Sequence, residues 1–342
     1  MPLEIAIVPA GQWGTALAVP LTANGHRVRL WFRRPEEAAH FRRTRETRRL
    51  PGIRFGDGVT GTERLEEAVA GADLVVLAPA SQGLRQVARA IRPLLRPGAI
   101  LVSASKGLEE ETLLRMSEVL AQEIPEAADR VAVISGPNFA VEVARGLPTG
   151  TVVAARDPKL AETVQDTFLT PRFRAYTSDD PIGVELGGAL KNVIAMAVGV
   201  SDGLGLGHNT RATLITRGLA EMARLGMALG AQLMTFAGLS GVGDLVLTAT
   251  GDLSRNRQAG LYIGRGGTLA DFIRETGATV EGAPTARAAR ELAARLGVEM
   301  PITEQLCRIL YDGTAPEEAL LALTGREKRT RELEGHHPPA GR

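Results

Sequence analysis

Only one cysteine, Cys307, stands in the 342 residues. That excludes an intrachain disulfide and makes a cysteine-built metal site a poor reading. Excess charge is also lacking: 40 basic residues against 39 acidic ones leave a net charge of +1. Such a balance supplies no field for nucleic acid or an anionic membrane surface. The start of the chain has no basic segment followed by a cleavage site, and enters a strand-like run from Leu3 to Val8 at once. The longest apolar run, Val184 to Val200, is broken by Lys191 and Asn192, with Asp202 just beyond. That argues against a membrane span. A cytoplasmic protein is the default expectation. The five histidines show no ligand spacing, so no metal is implied. Lysine is scarce as well. All basic residues but Lys106, Lys159, Lys191 and Lys328 are arginine, and Lys106 and Lys191 lie in apolar surroundings.

What is present reads as an ordinary globular chain, 44% apolar and 23% charged. Its length favours two domains. In the first half, short β-rich runs alternate with helical ones. Strands are expected at Glu4–Val8, Arg27–Phe32, Asp73–Ala78, Ile100–Ser103, Arg130–Ile134, Thr151–Ala155 and Arg172–Tyr176. Helices are expected at Trp13–Asn24, Glu36–Arg49, Gln82–Leu95 and Glu110–Glu123, and from Pro158. Strict alternation means βαβ units and a mostly parallel, doubly wound sheet of Rossmann-like type. After Asp180 the pattern turns helical, with glycine-rich turns. The expected organisation is therefore an α/β dinucleotide-binding domain over 1–180 and an all-α substrate domain over 181–325. The polar, proline-bearing tail 326–342 reads as disordered.

The strand ending at Val8 runs into Pro9, Ala10, Gly11, Gln12, Trp13 and Gly14, and then into a helix. This is the place of a G-x-G-x-x-G turn, whose glycines let backbone approach a pyrophosphate at a helix N-terminus. Gly11 and Gly14 hold the second and third glycine positions; Pro9 takes the first, which points to weakened cofactor affinity. About 20 residues on, where a carboxylate would hold a ribose hydroxyl, stand Arg33 and Arg34. Guanidinium there suits a 2′-phosphate, so NADP is favoured over NAD.

On a 3.6-residue period, Glu185, Gly188, Lys191 and Asn192 share one face of the long apolar helix. A lysine there must be paired, must reach water, or must face a polar pocket. Ser105-Lys106-Gly107 and the run from Ser135 to Ala140 both follow strands, at the edge where open parallel sheets bind ligands. Near Asp244, the run Ser254-Arg255-Asn256-Arg257 places two arginines in a helical first turn, against the helix dipole. A bound phosphate would resolve that conflict.

These pieces, with 209–212, 214–222, 243–248 and 280–282, stand in unbroken order from Leu3 to Gly325. Together they resemble the bacterial-type NAD(P)-dependent glycerol-3-phosphate dehydrogenases. The resemblance implies reversible reduction of dihydroxyacetone phosphate to sn-glycerol 3-phosphate, the backbone for phospholipid synthesis, by a homodimer. It implies Lys191 as proton acceptor and donor. Lys106, Gly136, Asn138, Lys191, Asp244, Ser254, Arg255 and Asn256 would surround the substrate. Gly11, Gln12, Trp13, Gly14, Arg33, Arg34, Lys106, Ala140, Arg255 and Glu281 would meet the dinucleotide. Two other readings stay open: a β-hydroxyacid or ketopantoate-type reductase, and a dinucleotide-binding regulatory protein suggested only by Pro9.

Overall fold

The computed structural model describes residues 2–325, so the expected disordered tail lies outside the described residues. The first part runs β1 (Glu4–Val8), α1 (Gln12–Ala23), β2 (Arg27–Trp31), α2 (Pro35–Thr44), β3 (Glu46–Thr47), β4 (Leu50–Arg54), β5 (Val59–Thr62) and α3 (Leu65–Val69). It continues through β6 (Leu74–Leu77), α4 (Leu84–Ile91), β7 (Ile100–Ser103), α5 (Met116–Glu123) and β8 (Val131–Ser135). It ends with α6 (Ala140–Ala144), β9 (Thr149–Ala154), α7 (Pro158–Phe168) and β10 (Phe173–Ser178).

Eight strands form one sheet in the order β10-β9-β8-β7-β6-β1-β2-β5, with β3 and β4 apart as a small hairpin. Every neighbouring pair in the large sheet is parallel except β8 with β9. Both faces are covered, because strand side chains alternate and both sets are apolar. Ile5 and Ile7 join Leu17, Leu21, Phe41 and Phe168 in one core, while Ala6 and Val8 join Val69, Leu84, Ile91 and Leu120 in another. The chain leaves β1 toward β2 and later returns to β6 on the other side, so the β1–β6 crevice is the topological switch point.

The remainder is α8 (Pro181–Gly203), α9 (Gly207–Ala228), α10 (Leu233–Phe236), α11 (Asp244–Thr250), α12 (Arg255–Gly264), α13 (Leu269–Thr276), α14 (Gly282–Leu296), α15 (Pro301–Tyr311) and α16 (Pro316–Thr324). α8 begins where Asp180 accepts the Gly183 N–H at 2.8 Å, with Pro181 at its first position. Being apolar nearly all round, it forms the centre of the helical part, buried along most of its length. α12 crosses it with no side chains between the backbones. A β-carbon on Gly199 would lie 2.2 Å from the Arg257 carbonyl oxygen, and one on Gly260 would lie 2.0 Å from that of Met196.

Three expected helices are shorter than their patterns. The Gln82–Leu95 helix is α-helical only over Leu84–Ile91, with a 3-10 turn at either end, the second one holding Pro93. The Glu36–Arg49 helix stops at Thr44, where Arg45 turns left-handed (φ 61°) and feeds the β3–β4 hairpin. Only Ala38 and Phe41 are buried on α2, so little apolar contact held the helix on. The Glu110–Glu123 helix starts at Met116. Glu109 is held by Arg85 at 2.7 Å and also accepts the Thr112 hydroxyl. Leu113 takes φ 64°, and Arg115 N–H bonds the Glu118 side chain at 2.9 Å as the helix cap.

Candidate active site

A cleft of about 300 Å³ opens between the sheet's carboxyl edge and the helices. Gln12, Trp13, Lys106, Asn138 and Ala140 line it from the sheet side. Lys191, Ser254, Arg255, Asn256 and Glu281 line it from the helical side. A larger hollow of about 420 Å³ beside α14 to α16 carries none of these convergent groups. Chemistry, not size, selects the cleft.

At its floor lies Asp244, with no exposed surface. One carboxylate oxygen accepts Lys191 Nζ at 2.5 Å; the other accepts Lys106 Nζ at 2.7 Å. Lys191 also donates to Thr248 Oγ1 at 2.8 Å, and Lys106 to the Gly136 carbonyl at 2.8 Å. Two ammonium groups share one carboxylate, which leaves one positive charge for a ligand. Lys191 is 7% exposed. Burial pulls its pKa down to about 8; Asp244 opposes that pull and Lys106 adds to it. Above the lysines runs an amide chain. Asn192 donates to the Lys106 carbonyl at 3.3 Å, Asn256 donates to Asn192 at 2.9 Å, and the Gly282 N–H donates to Asn256 at 2.8 Å.

Ser254 caps α12 by accepting the Arg257 N–H at 3.2 Å, which leaves the first-turn N–H groups of α12 at the cleft wall. Arg257 turns away to Asp202 and Asp252, at 2.8 and 2.9 Å. One of the two arginines expected to oppose the dipole is thus neutralised within the protein. Arg255 remains, donating among the described residues only to Gln12 Oε1 at 2.6 Å, with its pKa lowered by burial and by the nearby Arg49. Glu281 crosses the cleft and accepts the Ser81 N–H at 2.9 Å and the Ser81 hydroxyl. Burial raises its pKa against those two bonds.

Several expected residues lie near the cleft without lining it. Asp244 sits beneath the lysines, and Gly136 offers its carbonyl to one of them. Gly14 presses on β1, where a β-carbon would stand 2.8 Å from the Pro9 carbonyl oxygen. Gly11 differs: its φ of −73° is open to any residue, and a β-carbon there meets nothing within 4 Å. Nothing in the protein requires glycine at 11, but a group laid against α1 would. The Trp13 indole N–H beside it is buried without a partner among the described residues. Both observations fit a dinucleotide. Pro9 keeps the turn, its carbonyl accepting the Gly11 N–H at 2.8 Å. Arg33 and Arg34 stand exposed beyond β2, with no ion pair among the described residues. Asn138 lines the cleft but donates to the Gly150 carbonyl at 2.8 Å and accepts the Thr151 hydroxyl at 3.1 Å, which leaves one amide N–H for a ligand.

Glu185 shares its helix face with Lys191 yet belongs to another contact. It is paired with Arg115 at 2.5 Å and accepts the Ser117 N–H at 2.7 Å. Sequence reasoning also missed Thr248 and Arg49. Thr248 was within reach, four residues after Asp244 and so on the same helix face. Arg49 was not, since the hairpin that carries it read as helix.

Two family models cover most of the chain: the NAD-dependent glycerol-3-phosphate dehydrogenase N-terminus matches residues 4–161, and the C-terminus of the same enzyme matches 180–321. A glycerol-3-phosphate dehydrogenase [NAD(P)+] of Symbiobacterium thermophilum is 55% identical over 332 residues, covering 97% of this chain and 96% of that protein. One from Moorella thermoacetica is 53% identical over 97% of this chain and 98% of its own length. The crystal structure of glycerol-3-phosphate dehydrogenase from Coxiella burnetii superposes with a TM-score of 0.90 at 37% identity, over 95% of this chain and 99% of that one. A ketopantoate reductase from Ralstonia eutropha, 17% identical over 92% of this chain and 99% of its own, shares the fold with a TM-score of 0.60.

Proposed function

The chain belongs to the NAD-dependent glycerol-3-phosphate dehydrogenase family, and from that premise we propose how its residues divide the reaction. The protein is an NAD(P)-dependent oxidoreductase that interconverts dihydroxyacetone phosphate and sn-glycerol 3-phosphate. The ketopantoate-type alternative is a distant relation of fold only.

The observation that carries the residue roles is the shared Asp244 carboxylate beneath Lys191 and Lys106. A ketone accepting hydride develops negative charge on its oxygen, and Lys191 Nζ delivers the proton there. Lys106 and the surplus positive charge stabilise the oxygen as it forms. In the opposite direction the neutral amine of Lys191 takes the hydroxyl proton. The substrate phosphate lies against the first turn of α12, where Arg255 and Asn256 supply donors beside free backbone N–H groups. Asn138 offers its remaining amide N–H to a substrate oxygen. A nicotinamide dinucleotide, when bound, supplies or receives the hydride. Gly11, Gln12, Trp13 and Gly14 hold it at α1, with Ala140, Lys106, Arg255 and Glu281 facing it.

With a pKa of about 8, Lys191 is mostly ammonium at neutral pH and mostly amine above pH 8. Ketone reduction needs the ammonium, so its kcat/KM falls as pH rises through about 8. Alcohol oxidation needs the amine, so its kcat/KM rises through the same value. Steady-state rates in both directions between roughly pH 6.5 and 9.5 read these limbs. Two flat profiles would remove Lys191 from the proton-transfer step.

The exposed guanidinium of Arg33 is proposed to meet the 2′-phosphate of NADP. Arg33→Ala should raise the KM for NADPH about tenfold and leave that for NADH unchanged. An equal effect on both cofactors would sink the assignment. The division into domains 1–180 and 181–325 rests on the sheet ending at Ser178 and α8 beginning at Pro181. A homodimer, to be read from the mass in solution, is carried on the resemblance, as is a place in phospholipid synthesis. A cytoplasmic location is carried on the sequence.

A further inference from the structure

We propose that Arg49 is a second diphosphate-binding arginine, which reaches from the tip of the β3–β4 hairpin over the N-terminus of α1 to hold the dinucleotide jointly with Arg255. The proposal rests on the reading that the dinucleotide lies in the cleft against α1.

Arg49 stands between β3 and β4 and lines the cleft alongside Gln12 and Arg255. One side chain brings all three together. Gln12 Nε2 donates to the Arg49 backbone carbonyl at 3.0 Å, and Gln12 Oε1 accepts Arg255 Nη2 at 2.6 Å. The Gln12 amide thus has a protein partner at each end and joins the hairpin tip, the first residue of α1 and the first residue of α12. It thereby holds the Arg49 backbone and the Arg255 guanidinium at one helix end.

That gathering is electrostatically unfavourable by itself. The N-terminus of α1 carries the positive end of the helix dipole and unbonded first-turn N–H groups. Arg255 has no carboxylate partner among the described residues, and Arg49 contributes to lowering its pKa. Arg49 has only Glu37 as an ion-pair partner among the described residues, at 3.6 Å, with its own side chain 45% exposed. Such a long, exposed pair is worth little. Two guanidiniums, a dipole and free N–H groups therefore converge with only the distant Glu37 carboxylate paired to either arginine among the described residues, beside a Gly11 whose missing β-carbon leaves open space. A diphosphate carries two negative charges and accepts from donors of all these kinds. The adenosine 2′-phosphate of NADP is a different group. The arginines suited to it, Arg33 and Arg34, lie outside the cleft that Arg49 lines.

Both NADH and NADPH contain the diphosphate, and this separates the two roles. Titrating each nucleotide into substrate-free enzyme, with nicotinamide fluorescence as the readout, gives Kd without turnover. Arg49→Ala should raise Kd for NADH and for NADPH by the same factor, about tenfold or more. Arg49→Lys should fall between Arg49→Ala and the unaltered enzyme, because ammonium keeps the charge and loses the fork. Removing the charge should also flatten the dependence of log Kd on log salt. A loss confined to NADPH would reassign Arg49 to the 2′-phosphate and overturn the proposal, as would an unchanged Kd for both. If Arg49→Ala melts early, the ratio of the two Kd changes in Arg49→Lys decides between these outcomes. Failure of the unaltered enzyme to bind either nucleotide would sink the cofactor reading itself, not Arg49 alone.

Discussion

Lys191→Ala is expected to lower kcat for dihydroxyacetone phosphate reduction by about 1,000-fold while dinucleotide affinity stays within about twofold. The substitution removes the proton at the carbonyl oxygen and one of the two cations that face it. Lys106 remains paired with Asp244 at 2.7 Å, so no buried carboxylate is stranded. Alanine also suits the interior of α8, and the fold should survive. Lys191→Arg should not restore the rate, because guanidinium holds its proton throughout the working range. Pre-steady-state hydride transfer, followed by loss of reduced-nicotinamide absorbance, separates this from a binding defect. A drop of less than about tenfold would mean that the proton comes from another group.

Gly260→Ala is expected to have the largest effect on stability, a loss of more than about 3 kcal/mol. The new β-carbon would lie 2.0 Å from the Met196 carbonyl oxygen, 2.9 Å from the Val200 nitrogen and 3.0 Å from the Gly199 Cα. All three belong to the backbone of α8, which is packed on its other sides by α9, α11 and α14 and has nowhere to retreat. The same displacement carries the α12 N-terminus, with Ser254, Arg255 and Asn256, away from Lys191. The surviving folded fraction should therefore show a raised KM for dihydroxyacetone phosphate. Urea unfolding and steady-state kinetics on one preparation would read both effects. A variant that unfolds within about 1 kcal/mol of the parent would show that the two helices can separate without loss of packing.

Much of this was open to inspection in the sequence, for identifiable reasons. The buried strands β1, β6 and β7 are apolar but for Glu4 and Ser103 at two ends, and α8 is apolar along most of its length. Burial on every side leaves that mark, and both patterns place the sheet and the central helix. The loops that carry Lys106 and Asn138 follow strands, so their place at the carboxyl edge follows from topology. What escaped depends on contacts between distant segments. The β3–β4 hairpin lies in a charged stretch where local propensity favours helix, and Arg45 ends the helix by turning left-handed and bonding the Phe55 carbonyl. The start of α5 is set by Glu109, which Arg85 holds from another helix. Asp244 was expected around the substrate. Only packing shows it sealed beneath two lysines that lie 138 and 53 residues away in the chain.

The ion triad at the cleft floor joins the two halves of the molecule. Lys106 comes from the loop after β7, whereas Asp244 and Lys191 belong to the helices. Lys106 weakens the hold of Lys191 on its proton by its own charge and by taking half of the Asp244 carboxylate. Withdraw the sheet side, and Asp244 serves Lys191 alone, which then keeps its proton more firmly. The acidity proposed for the reaction is therefore set by burial together with charges from both halves, and neither half carries it alone.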